Sequence, residues 1–191
     1  MRPGIVIILL WAVFAISWLL AAFWSGATEK RAGIGAEAAS RMVLILGGLV
    51  LAMPAHGYTG PLRLWHVGWT QAWICVGLEA AAFAFCWWAR IHLGPLWSAS
   101  VTRKADHRVV ESGPYGIVRH PIYAGILLAV FATAAAKGTI PGLAGAAIIS
   151  LGFWMKARLE ERWLRQELGP ETYEAYRRKV PMLVPFGPKS T

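Results

Sequence analysis

The stretch Gly113-Pro114-Tyr115-Gly116-Ile117-Val118-Arg119-His120-Pro121-Ile122-Tyr123-Ala124-Gly125 decides how this chain is read. It holds a Gly-Pro turn, two tyrosines, an arginine and a histidine, and runs directly into an apolar segment long enough to enter a bilayer. Proline suits the first helical position, and the residue before it is pushed out of the helical region, so His120-Pro121 predicts a helix start. The N–H groups of such a start attract a carboxylate or phosphate, and Arg119 adds a full positive charge beside them. Polar residues at the mouth of a membrane helix are costly without a use, which predicts a site at the membrane surface. Arg119 and His120 alone also fit a plainer reading, in which the arginine snorkels to headgroups and the histidine caps the helix.

Working outward, the 191 residues are 57% hydrophobic and 15% charged, against about 25% charged in an ordinary soluble domain. The apolar residues come in long blocks without a period-2 alternation, which argues for membrane helices over a β-barrel. Five blocks are read, at about 3–24, 38–55, 67–88, 121–136 and 141–155. The first is too long and too Trp-rich at its end for a signal peptide. The last two, joined by Lys137-Gly138-Thr139, form an antiparallel hairpin. Alternating the connections between two sides puts sixteen of the nineteen basic residues on one of them. That asymmetry places the N-terminus outside and the C-terminus in the cytoplasm, in the inner membrane if the chain is bacterial. The net charge of +9 is then the flanking charge of membrane helices, and nucleic acid is not expected as a partner. Cys75 and Cys86 lie about 16 Å apart along one helix, too far for a disulfide, and read as buried thiols.

The expected fold is all-α: a polytopic membrane protein with five transmembrane helices and a cytoplasmic C-terminal helical cap. One integral-membrane domain spans 1–191, with three N-terminal spans in 1–89 and a catalytic region of loop, hairpin and tail in 90–191. The fifth helix is expected to continue past the membrane to about Leu168, where Gly169-Pro170 stops it. A short helix follows with Tyr173, Tyr176 and Val180 on one stripe, ended by Pro181. Just past the fifth span, Glu161 reads as a solvated partner of Arg165, and Glu160, on a different face, as the better functional candidate. Glu79, inside the third span, needs a partner or a proton. The five histidines show no metal-ligand spacing, so no metal is expected. GxGxxG, P-loop and GxSxG motifs are absent, so a nucleotide-like cofactor would need another kind of site.

The string GPYGIVRHPIYAG resembles the signature of the isoprenylcysteine carboxyl methyltransferase family. A second block agrees, from Glu160-Glu161 through Leu164, Gly169, Tyr173, Tyr176, Val180 and Pro181 to Pro185-Phe186, and a weaker one runs from Leu93-Gly94 through Trp97-Ser98 to His107 and Val110. The resemblance covers roughly the last 100 residues and implies methyl transfer from S-adenosylmethionine to a lipophilic small-molecule or lipidated substrate. Carried over by position, the cofactor contacts would be His107, Arg108, Val109, Val110, Tyr115, His120, Pro121, Ile122, Tyr123 and Glu160. Ser100 falls where relatives often carry an amide, and Lys156 where a eukaryotic relative uses arginine near the substrate. The catalytic candidates are Arg119, Lys156 and Glu160. A carboxylate acceptor, ionised at neutral pH, needs only a cation such as Arg119 or Lys156 to position it. An amine or thiol needs a base, for which Glu160 or His120 is the candidate. The leading expectation is O-methylation of a prenylcysteine-type carboxylate. The alternatives are a phospholipid, small-thiol or isoprenoid methyltransferase, a membrane NADPH-dependent reductase of the sterol type, and a non-enzymatic scaffold.

Overall fold

Proline in the first turn starts four of the helices, where its missing N–H leaves no intrahelical bond unmade. In the computed structural model, which describes residues 1–24, 28–31, 34–54, 60–97, 102–104 and 109–189, the helices are α1 Pro3–Ala21, α2 Ile34–Ala52, α3 Trp69–Leu93, α4 Pro121–Lys137, α5 Ile140–Leu168 and α6 Pro170–Lys179. Three described helical stretches are long and apolar enough to cross a membrane: Pro3–Trp24, Trp69–Leu96 and Ile140–Glu167. The segment Pro121–Lys137 is apolar but shorter. At about 1.5 Å per residue it reaches about 26 Å, against a hydrocarbon core of about 30 Å.

Small residues let these helices approach closely, the usual basis of packing between apolar helices in lipid. On α4, a Cβ at Gly125 would lie 2.4 Å from Cys86 Sγ of α3, and Cys86 itself donates to the Ile122 carbonyl at 3.4 Å. On α5, Gly145 backs onto the Leu51 main chain of α2 and Gly152 onto Leu44, while Gly47 of α2 receives Ile149. Helix α1 joins through aromatics. Phe14 stacks on Phe83 with centroids 4.3 Å apart, and Trp11 donates to Thr133 at 3.0 Å. Glu79 is fully buried beside Trp11 and Thr133, with neither carboxylate oxygen in a formed hydrogen bond.

The connections sort to two ends of the bundle. At one end the Lys137 ammonium donates to the Leu51 and Met53 carbonyls, and Arg63 bridges Thr139. Gly138 turns α4 into α5 at φ +61°, where a Cβ would strike the Trp65 carbonyl at 2.4 Å, so only glycine fits. At the other end two strands, β1 Thr28–Arg31 and β2 Thr102–Lys104, pair antiparallel. This pair is an addition to the all-α expectation: both connections lack helical periodicity, and pairing satisfies their main-chain groups. Also at this end, α3 continues five residues beyond the expected limit at Trp88. Arg90, just past that limit, is fully buried. It donates to the carbonyls of Ala21, Trp24 and Gly94 and lies between the rings of Trp24 and Trp97. A guanidinium with this many acceptors and two ring faces tolerates burial that hydropathy alone forbids.

Candidate active site

The turn Gly113–Gly116 sets the floor of the site. Gly113 has φ +58°, and a Cβ there would meet the His92 ring at 2.8 Å, so the position is closed to any side chain. Tyr115 is buried by the turn against Ala89, Trp97 and Ile122, with Val110 packed alongside. The Tyr115 carbonyl accepts a 2.7 Å hydrogen bond from the Tyr176 hydroxyl of α6. Burial, then Tyr176 and Glu160, raise the Tyr115 phenol well above the ordinary tyrosine range, so it stays neutral. Val109 packs on Tyr173, Tyr176 and Val180. The loop is thus held from both sides, by α3 and by α6.

The tail closes over the start of α4. The Arg119 N–H donates to the Pro181 carbonyl at 2.8 Å and the His120 N–H to the Met182 carbonyl at 3.1 Å. His120 caps α4 with its backbone at φ −123°, ψ 68°, and Pro121 follows with no N–H to satisfy. The first-turn N–H groups of Ile122 and Tyr123 have no intrahelical carbonyl within reach.

The side chains converge on Glu160 and Glu161. His120 Nδ1 lies 3.4 Å from Glu160 Oε2, and His120 Nε2 lies 3.3 Å from Glu161 Oε1. An imidazole with both nitrogens facing carboxylates is satisfied only as the cation, in which both are donors. Burial opposes that charge, but the two carboxylates outweigh it and the His120 pKa is raised. The Tyr123 hydroxyl donates to Glu160, and its ring stacks on His120, 5.4 Å between centroids and 2° from parallel. Lys156 sits one turn before Glu160, its ammonium 5.4 Å from the Tyr123 ring centroid.

Of the residues singled out from sequence, the structure brings Tyr115, Arg119, His120, Pro121, Ile122, Tyr123, Lys156 and Glu160 to this end, with Val109 and Val110 behind the turn. His107, Arg108 and Ser100 lie outside the described residues. Two readings are corrected. Glu161 is not a solvated partner of Arg165: it is 4% exposed and binds Arg119 Nε at 2.6 Å, while Arg165 pairs with Glu174 at 2.7 Å. The helical spacing held the signal, because Glu161 stands four residues after buried Ala157 and three before Leu164, on the inward stripe. Arg119, expected to face a ligand carboxylate, is turned to the protein's own groups: besides Glu161, it donates to the carbonyls of Arg177 and Val180. Arg177, unremarked in the sequence, adds a third cation, 3.2 Å from Glu161 Oε2.

A membrane-type helical bundle with a charged, aromatic cluster at one end of its last hairpin is the class these features define. Residues 75–166 match the isoprenylcysteine carboxyl methyltransferase (ICMT) family. Over these residues, just under half of its length, the chain is similar to that family. Among curated relatives, methanethiol S-methyltransferase 2 of Bradyrhizobium diazoefficiens is 35% identical over 137 residues, covering 65% of this chain and 51% of the relative. Protein-S-isoprenylcysteine O-methyltransferase B of Arabidopsis thaliana is 33% identical over 87 residues, 45% of this chain and 44% of the relative. Protein-S-isoprenylcysteine O-methyltransferase of Schizosaccharomyces pombe is 33% identical over 90 residues, 45% of this chain and 36% of the relative. The chain thus spans about half the length of the curated relatives it matches, or less.

Proposed function

We propose that the protein is an integral-membrane, S-adenosylmethionine-dependent methyltransferase acting on a lipophilic acceptor at the cytoplasmic face. The observation that carries this is the cluster in which the α4 start, the Glu160 turn of α5 and the tail after α6 meet around His120. Its donor set suits the cofactor. Glu160 and the Tyr123 ring offer a carboxylate and a π face to a sulfonium cation or ribose hydroxyl, and the Ile122 and Tyr123 N–H groups suit a carboxylate. S-adenosylmethionine, when bound, supplies an already activated methyl group. The protein's task is then to orient the acceptor and exclude water.

We read the acceptor as a prenylcysteine-type carboxylate. It needs no base, and Lys156, over the Tyr123 ring and beside Glu160, is the cation assigned to position it. A thiol acceptor is the second reading, favoured by the Bradyrhizobium relative's name. Its proton would pass to Glu160, because both His120 ring nitrogens already face carboxylates. Labelled S-adenosylmethionine separates the two: a methyl ester releases volatile methanol in base, and a thioether does not. Lys156→Ala is expected to raise KM for a carboxylate acceptor and leave cofactor affinity unchanged. An equal loss for both would remove Lys156 from the acceptor side. Stabilisation by NADPH, without stabilisation by S-adenosylhomocysteine, would favour the reductase reading instead.

For topology, we propose five spans with the C-terminus cytoplasmic, α2 and α4 completing the three longer helices. The basic excess falls on the β1–β2 end of the bundle, which supports that end as the inner face.

A further inference from the structure

The buried Glu161 carboxylate meets three cationic side chains at the start of α4 and on α6. Its Oε1 receives Arg119 Nε at 2.6 Å and faces His120 Nε2 at 3.3 Å, while Oε2 lies 3.2 Å from Arg177 Nε. These partners sit on two separate pieces of chain: Arg119 and His120, adjoining residues at the start of α4, and Arg177 of α6. The tail is sewn to the loop before α4 by main-chain bonds from Arg119 and His120 to Pro181 and Met182, and by Tyr176 to Tyr115.

We propose that Glu161 is a positioning residue, whose single buried carboxylate holds the α4 cap, Arg119 and α6 in the arrangement that lets His120 and Glu160 receive the cofactor. This rests on the methyltransferase reading above. Glu161 fixes which way the His120 ring points: with Nε2 facing Glu161, Nδ1 is presented to Glu160, and the ring plane lies flat on Tyr123. It also anchors Arg119, which in turn holds the carbonyls of Arg177 and Val180 at the end of α6. Adjacent glutamates thus divide the work. Glu160 is assigned to the cofactor, and Glu161 to the protein around it.

The test uses the full chain in nanodiscs, with Glu161→Gln and Glu161→Asp beside the wild type. S-adenosylhomocysteine affinity is measured across pH, and amide exchange is followed through residues 170–182. Among the described residues, the charged and titratable groups around His120 are Glu160 and Glu161 of α5 with Lys156 beside Glu160, Tyr123 of α4, Arg119 next to it, and Arg177 and Tyr173 of α6 beyond Glu161. Removing one carboxylate lowers the pH at which His120 loses its proton. Glu161→Gln is therefore expected to bind about tenfold more weakly at neutral pH, the worth of one charge-assisted hydrogen bond. Its binding profile shifts to lower pH, and exchange quickens in 170–182 while α3 and α4 stay protected. Glu161→Asp, which keeps the charge, restores the pH profile and part of the affinity. If the glutamine variant does not fold, the aspartate variant alone decides, by an affinity and exchange intermediate between wild type and loss. Wild-type affinity, pH profile and exchange in the variants that fold would overturn the proposal. So would weaker binding with neither profile nor exchange altered. A wild type that binds no S-adenosylhomocysteine overturns the methyltransferase reading instead, and the exchange arm then decides on its own whether Glu161 clamps the tail.

Discussion

His120 is held by a carboxylate at each ring nitrogen, and its charge is part of the site's architecture. A histidine pKa raised on folding stabilises the fold fully below the unfolded value of about 6.5 and loses that contribution as pH rises through the folded value. Thermal stability in detergent is therefore expected to fall on the alkaline side of neutrality. In His120→Ala that alkaline step disappears, and a melting series from pH 6 to 9 reads both. Glu160→Gln, which leaves the Glu161 contact intact, is expected to weaken S-adenosylhomocysteine binding about tenfold, the value of one charge-assisted hydrogen bond. Calorimetric affinity equal to wild type would remove Glu160 from the cofactor side. At this scale the sequence was half legible. The RHPxY string announced His120 and Tyr123 because proline fixes a helix start. Glu161 was misread because an isolated Glu-Arg spacing looks the same on a solvated helix as on one covered by a later segment. Only the return of α6 over α5 buries it.

Among the elements, glycine decides which helices touch. A methyl at Gly145 would lie 2.5 Å from the Leu51 main-chain nitrogen, which cannot move without α2. Overpacking of this kind costs about 1–3 kcal/mol, so Gly145→Ala is expected to lower the melting temperature. Gly77→Ala meets nothing within 4 Å and is expected to leave it unchanged or raise it, since alanine is the better helix former. Equal melting temperatures would show that α2 and α5 do not pack at Gly145. Helix positions were legible from apolar block length and from the prolines, and α1, α4 and α5 begin within one residue of the expected starts. The end of α3 was not, because Arg90 and His92 look like the solvated end of a span. The acceptors that bury Arg90 come from α1 and from the turn after α3. The β1–β2 pair was equally invisible, being formed by two short segments about seventy residues apart.

Across the whole molecule, the two ends of the bundle carry different chemistry. One holds the short Gly138 turn and the Arg63–Thr139 bridge, the other the charged cluster and the tail. Cys75 and Cys86 are both buried, so single introduced cysteines report sidedness against a quiet background. An impermeant maleimide applied to intact cells is expected to label Leu62→Cys and spare Phe186→Cys, both positions being exposed. The reverse pattern would invert the topology. The most direct measurement is calorimetric titration of the purified full chain in nanodiscs with S-adenosylhomocysteine, alongside Glu160→Gln and with NADPH as the competing ligand. Saturable binding of S-adenosylhomocysteine by the wild type, weakened in the variant, with no heat from NADPH, is the predicted result. Heat from NADPH alone, or S-adenosylhomocysteine binding indifferent to Glu160, would contradict it.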